Sequence, residues 1–185
     1  AGQLRGGRSD RPPTSTLDIA LSAERARTKA GQITATPETA TKPALLVETS
    51  GSSAEPKIVM LSATNIISSC QAVNARLDLR RGDCWLCVLP RHHVGGLAIG
   101  YRCALAGAEL WVQSRFAAEA VQSALSAGEI THLSLVPAQL DRLLSLDPRP
   151  PASLRVALLG GQGLDGALAR RAVKHAHAAG IGTQE

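Results

Sequence analysis

The chain has 185 residues, 44% of them hydrophobic but only 2% aromatic, and a formal net charge of +5 carried by 16 Arg and 4 Lys. One domain of this size buries roughly two-thirds of its unfolded surface, with a core built from Leu, Val, Ile and Ala. No basic stripe is interleaved with aromatics, which excludes the usual nucleic-acid surface, and the longest apolar stretch is broken by Arg102 too early for a membrane span.

No secretory signal is legible, so Cys70, Cys84, Cys87 and Cys103 read as reduced thiols of a cytoplasmic protein. The chain begins with Ala and ends at Glu185, which reads as a piece of a longer protein. Residues 1–16 are polar, rich in Gly and Pro and without periodicity, so residues 1–43 are expected to be a flexible segment and linker. Within it, Leu17 to Lys29 has the spacing of a short helix. Globular structure is expected from Ala44.

Two apolar runs, Ala44-Leu45-Leu46-Val47 and Ile58-Val59-Met60-Leu61, read as buried strands. Between them lies Thr49-Ser50-Gly51-Ser52-Ser53-Ala54-Glu55-Pro56-Lys57, rich in donors and poor in bulk. Such a loop suits a polyoxygen anion, with hydroxyls and backbone N–H groups donating and Lys57 neutralising charge. Composition alone slightly favours the alternative, a Ser-rich hairpin turn whose lysine is solvated.

A regular alternation follows. Ser62 to Asn65 caps a helix to Ala75; Cys84–Leu89 is a strand that Pro90 stops; Gly95–Ala106 is a helix. Glu109–Gln113 is a strand, Ala117–Ser126 a helix, Thr131–Val136 a strand, and Pro137 opens a helix to Leu146. Leu154–Leu159 is a strand, and Gly160-Gly161-Gln162-Gly163 opens a last helix, Leu164–Ala179. The fold class is therefore α/β, a mostly parallel sheet with helices on both faces. Ligands in such folds bind at the carboxyl ends of the strands.

Cys84-Trp85-Leu86-Cys87 has CxxC spacing, but residues three apart on a strand face opposite sides, so two buried apolar thiols are expected rather than a metal site. Gly161 to Gly166 fits GxGxxG between a strand and a helix, which keeps a dinucleotide-binding oxidoreductase open as an alternative. No Walker loop and no G-x-S-x-G elbow is present. His175 and His177 lie two apart on a helix and are expected to be solvated. Leu89-Pro90-Arg91-His92-His93-Val94-Gly95-Gly96 pairs two histidines with two glycines that open space beside them, a pattern suited to a ligand wall.

Together these stretches resemble the adenylate-forming (AMP-binding, acyl-CoA synthetase-like) superfamily. Thr49 to Lys57 resembles its phosphate-loop signature, T-S-G-[ST]-[ST]-G-x-P-K. The order of Asp83 to Pro90, His93 to Gly96, Thr131 to Leu140 and Leu158 to Gly161 is most similar to the o-succinylbenzoate–CoA ligases of menaquinone biosynthesis. The resemblance covers about residues 44–180. It implies part of the large N-terminal domain of that superfamily over 44–185, without the C-terminal lysine domain.

The activity implied is an ATP-dependent, AMP-forming acid–CoA ligase with ATP, Mg2+ and coenzyme A as cofactors and co-substrates and a small carboxylic acid as partner. A homo-oligomer stays open. By position, Thr49, Ser50, Gly51, Ser52, Ser53 and Lys57 would hold the β- and γ-phosphates. His93 would be the catalytic residue and, with Gly95, Gly96 and Ser134, would line the acyl pocket. Gly160, Gly161 and Gln162 would pack against adenine. Ala54 stands where the signature has its second glycine, and Ile181 to Glu185 keeps only the glycine and glutamate of the family's Y-G-x-T-E segment. These departures imply the alternative of a non-catalytic remnant.

Overall fold

The computed structural model describes residues 25–27, 40–49, 57–146 and 151–178. In chain order the strands are β1 (Arg25–Arg27), β2 (Pro43–Thr49), β3 (Lys57–Ser62), β4 (Cys84–Cys87), β5 (Glu109–Val112), β6 (His132–Leu135) and β7 (Val156–Leu159). The helices are α1 (Ala63–Leu77), α2 (Val94–Ala106), α3 (Ala118–Ser126), α4 (Pro137–Ser145) and α5 (Gly166–Ala178). The main sheet has the order β1-β5-β4-β6-β7, with β4 parallel to β5 and β6, and β6 parallel to β7. β1 joins the edge antiparallel to β5.

Strand β4 sorts the layers. Cys84, Leu86 and Val88 belong to one core with Val121 and Leu125 of α3, Leu140 and Leu144 of α4, and Leu133 and Leu135 of β6. Trp85 and Cys87 belong to the other, with Ile99 and Cys103 of α2 and with Leu79. A strand alternates its side chains between faces, so four consecutive buried residues require helices on both sides. The α/β class with a mostly parallel sheet is what the structure has. Cys84 and Cys87 do face opposite cores.

Local signals fix the helix ends. Ser62 Oγ accepts from the Asn65 N–H at 3.2 Å and Asn65 Oδ1 accepts from the Ser62 N–H at 3.0 Å, a reciprocal cap for α1. The Cys70 thiol donates to the Ala98 carbonyl and the Asn74 amide to the Arg102 carbonyl, so α1 and α2 run side by side in the same direction. Both start at the end of the sheet where β4 exits.

Two expectations are corrected. Residues 25–27, placed within a helix over Leu17–Lys29, form strand β1; the rest of that stretch and residues 1–16 lie outside the described residues. The runs at 44–47 and 58–61 are strands, but they form a separate antiparallel hairpin, β2–β3, instead of buried strands of the parallel sheet. Leu46, Ile58 and Met60 are 61%, 68% and 66% exposed. Antiparallel pairing through one short loop needs no crossover, so nothing carries these strands into the main sheet. No helix among the described residues is long and apolar enough to cross a membrane.

A polar cluster sits at the amino ends of the strands. Arg155 pairs with buried Asp83 at 2.7 Å, and Asp83 also accepts the Arg80 N–H at 2.9 Å. Fully buried His132 has Nε2 3.3 Å from the Leu77 carbonyl and Nδ1 2.8 Å from Thr131 Oγ1. A carbonyl only accepts, so Nε2 carries the hydrogen and neutral Nδ1 accepts from Thr131. Burial pushes the His132 pKa below the ordinary imidazole value, outweighing the Leu77 carbonyl and the Asp83 charge. The lowered folded pKa means that stability is complete above about pH 6.5 and is lost as pH falls through the folded value. Urea unfolding from pH 7.5 to 5.5 is expected to show the midpoint falling, with a shallower fall in His132→Gln; a pH-independent midpoint would refute it.

Candidate functional site

In the strand order β5-β4-β6-β7, β4 connects leftward to β5 through α2 and β6 connects rightward to β7 through α4. Helix α2 lies on one face and α4 on the other. The connections therefore diverge between β4 and β6, and the crevice beyond their carboxyl ends is where ligands of such sheets bind.

Two predicted stretches lie at this rim. His93 is the N-cap of α2, exposed, its backbone N–H donating to the Pro90 carbonyl at 3.2 Å and its ring 4.2 Å from that of His92. No side chain caps α2, so its first N–H groups face the rim with the positive end of the helix dipole. Gly160, Gly161 and Gln162 leave the end of β7, all exposed, with the Gly160 N–H donating to the Leu135 carbonyl at 3.2 Å. Gly161 has φ +88°, open to glycine and strained for other residues, and a Cβ there would stand 3.3 Å from Val136 Cγ1. The β6 and β7 exits are thus in contact.

The glycines after His93 differ from each other. Gly95 is exposed and open enough for a Cβ, which would meet only Leu89 Cδ1 at 3.8 Å. Gly96 is buried, and a Cβ there would lie 2.4 Å from the Pro90 carbonyl oxygen. Its missing side chain lets α2 start against the Leu89–Pro90 backbone, which aims His93 at the rim.

Ser134 lies deeper than a wall residue. It is 2% exposed on β6, and its Oγ accepts from Trp85 Nε1–H at 3.0 Å. The same indole ring carries the Arg102 guanidinium 5.7 Å from its centroid, a cation–π geometry. Arg102 is half-buried, and its Nε has no hydrogen-bond partner among the described residues. Burial lowers its pKa, opposed by the neighbouring Cys70 and Cys103 thiols. Sequence reasoning missed this trio; its signal was one arginine inside an otherwise apolar helix.

Thr49 and Lys57 are cross-strand partners at the far end of the hairpin. Ser50, Gly51, Ser52 and Ser53 lie outside the described residues, as do Ala54 to Pro56. The near end of the hairpin joins α1 at Ser62, and the Thr64 hydroxyl donates to the Ala40 carbonyl at 3.1 Å. The hairpin is therefore tethered on the side of the sheet where α1 and α2 begin.

A family model described as AMP-binding enzyme matches residues 6–182. The chain belongs to that family. It is 32% identical over 120 residues to the 2-succinylbenzoate–CoA ligase of Enterococcus faecalis, covering 64% of this chain and 25% of that one. With the enzyme of the same name from Bacillus licheniformis it shares 35% identity over 118 residues, again 64% and 25%. Among solved structures, o-succinylbenzoate coenzyme A synthetase from Bacillus subtilis is similar. Its double mutant bound with a product analogue gives a TM-score of 0.69 at 29% identity over 72% of this chain and 28% of that one. Its complex with ATP and magnesium ion gives 0.66 at 29% identity over 74% and 28%. The chain spans about a quarter of the length of the curated relatives it matches.

Within this family the Gly161–Gly166 fingerprint has a different physical reading. Asp165 Oδ2 accepts the N–H groups of Ala167 at 3.0 Å and Leu168 at 3.3 Å. The amides that a dinucleotide pyrophosphate would take at the start of α5 are held by the chain's own carboxylate. His175, expected to be solvated, is half-buried, its Nδ1 3.1 Å from the Arg171 carbonyl.

Gly96→Ala is expected to destabilise by about 1–3 kcal/mol, because the obstacle is backbone that cannot rotate away, whereas Gly95→Ala should change the urea midpoint little. Equal midpoints for the two variants would show that the close approach at Gly96 is unimportant.

Proposed function

We propose that this chain supplies the phosphate- and acyl-binding part of an ATP-dependent, AMP-forming acid–CoA ligase, acting on o-succinylbenzoate in menaquinone biosynthesis. The observation that carries the reading is that His93 with the uncapped start of α2 and the Gly160–Gln162 turn lie at the same, carboxyl end of the sheet, in a chain similar to 2-succinylbenzoate–CoA ligases. The proposed unit is residues 44–185, with β1 added at the edge of its sheet.

In the proposed reaction a carboxylate oxygen attacks the α-phosphorus of ATP, and the bond to pyrophosphate breaks, leaving an acyl-adenylate. The thiol of coenzyme A then adds to the acyl carbon and AMP leaves. The protein's part is to hold charge in place and orient the reactants. Thr49, Ser50, Gly51, Ser52, Ser53 and Lys57 are proposed to hold the β- and γ-phosphates, with Lys57 as the fixed cation. Gly160, Gly161 and Gln162 offer a low wall for adenine, since exposed glycines allow a flat ring close to the backbone.

His93 and the first amides of α2 are proposed to face the reacting carboxylate, with Gly95 beside it. Ser134 acts from below by fixing the Trp85 indole, and Arg102 over that indole adds a counter-charge for an anionic acid. No group of three or more metal-ligating side chains occurs among the described residues, and no step here runs through Mg2+. A reaction drawing on ATP and coenzyme A belongs in the cytoplasm.

A second reading, a binding module that has lost its chemistry, is favoured by Ala54, whose methyl stands where the loop signature leaves space. Pyrophosphate release that depends on an aromatic carboxylic acid separates the two. For the first reading, calorimetric titration with Mg-ATP is expected to give saturable heat that weakens about tenfold or more in Lys57→Ala, equivalent to at least roughly 1.4 kcal/mol. Absence of heat with the wild-type protein would overturn nucleotide binding.

A further inference from the structure

The structure holds a concave site whose lining the adenylation reading leaves unused. An open cleft of about 780 Å³ lies at the carboxyl ends of β4 and β5, toward α3 and α4. Its volume falls in the range of small-molecule sites, roughly 300–1,000 Å³. Ser134, Trp85 and Arg102 belong to the opposite side of the sheet, around the α2 core. None of His93, Gly95, Gly96 and Ser134 lines the cleft; His92, whose ring lies 4.2 Å from that of His93, lines it instead.

The lining has a definite chemistry. Arg91 lines it from the loop after β4 and Arg115 from the loop after β5, and no carboxylate among the described residues lines the cleft. Two guanidiniums on the loops that leave neighbouring strands bring planar donor forks suited to a phosphate or carboxylate. Gln113 adds an acceptor: its Nε2 donates to the Ala120 carbonyl at 3.3 Å, while its buried Oε1 has no hydrogen-bond partner among the described residues. Phe116, the chain's single phenylalanine, contributes an apolar wall. An anion alone would not use that wall or the Gln113 oxygen; an anion on a small apolar body with a hydroxyl would use both.

We propose that this cleft binds a small molecule bearing a phosphate or carboxylate group, the anion held by Arg91 and Arg115 and the apolar body resting on Phe116. The site does not depend on the adenylation chemistry, and its loss leaves nucleotide binding through Lys57 unchanged. Inorganic phosphate and benzoate represent the two anion sources.

Amide chemical-shift titrations of the 15N-labelled protein, at constant ionic strength, test the site with each probe. Saturable shifts are expected at Gln113 and Ser114, tighter with phosphate if the natural ligand is phosphorylated and tighter with benzoate if it is a carboxylate. The double variant Arg91→Gln/Arg115→Gln should weaken binding about tenfold or more, Arg115→Lys should keep part of it, and Lys57→Ala should match wild type. Unchanged spectra elsewhere report that the variants are folded. The proposal is overturned if neither probe gives saturable shifts at these amides, or if the double variant binds as wild type does.

Discussion

Strand β4 has to bury Cys84, Trp85, Leu86 and Cys87 together, and its period of two sends alternate members to opposite faces. A strand of that kind is stable only between two apolar layers. Each large side chain removed from water there contributes roughly 1.5–3 kcal/mol. The covering helices must leave the sheet on different faces, α2 on one and α3 and α4 on the other. Divergence of the connections beside β4 follows, and with it the crevice at the carboxyl ends. The position of the candidate site is thus a consequence of core burial.

The same alternation organises the polar groups. Trp85 points into the α2 core, so its indole N–H needs a buried acceptor, and Ser134 on neighbouring β6 meets it. Its ring face is left for Arg102. At the opposite end of β6, His132 packs against the Trp85 ring, centroid to centroid 5.2 Å, and closes the cluster with Thr131 and the Leu77 carbonyl. One aromatic side chain thus links the stabilising end of the sheet to the binding end. Raised thiol pKa values at Cys70, Cys87 and Cys103, dominated by burial, keep the rest of this layer neutral.

Much of this was legible in sequence because local and global signals agree. Pro90, Pro137 and the Gly160 pair mark strand exits, and Ser62 with Asn65 marks the start of α1. The α/β class, the order of elements and the rim position of His93 and Gly160–Gln162 follow from those residues. Gly96 was read as opening space for a ligand, and its space is filled by the Leu89–Pro90 backbone. Ser134 was read as a pocket wall, and it is held in the core by Trp85. Both differences depend on contacts between residues far apart in the chain. Pairing is also why the hairpin was misjudged: an apolar run shows that a strand is sticky, and only the partner strand shows where it lies.

Charge at the helix starts separates the candidate ligand groups further. The first amides of α1 are met by Ser62 and those of α5 by Asp165, so neither start presents its full dipole to an anion. Helix α2 begins at His93 with no side-chain cap, and Gly96 presses that start against the β4 exit. A negative group at the rim is therefore drawn to the His93 side rather than to the glycine turn before α5. Phosphates farther along the nucleotide would lie beyond the reach of this dipole, which fades within one turn. In the proposed reading their charge falls to Lys57 and its hairpin, while the glycine turn, ahead of α5 amides that Asp165 already holds, is left suited to an uncharged flat ring.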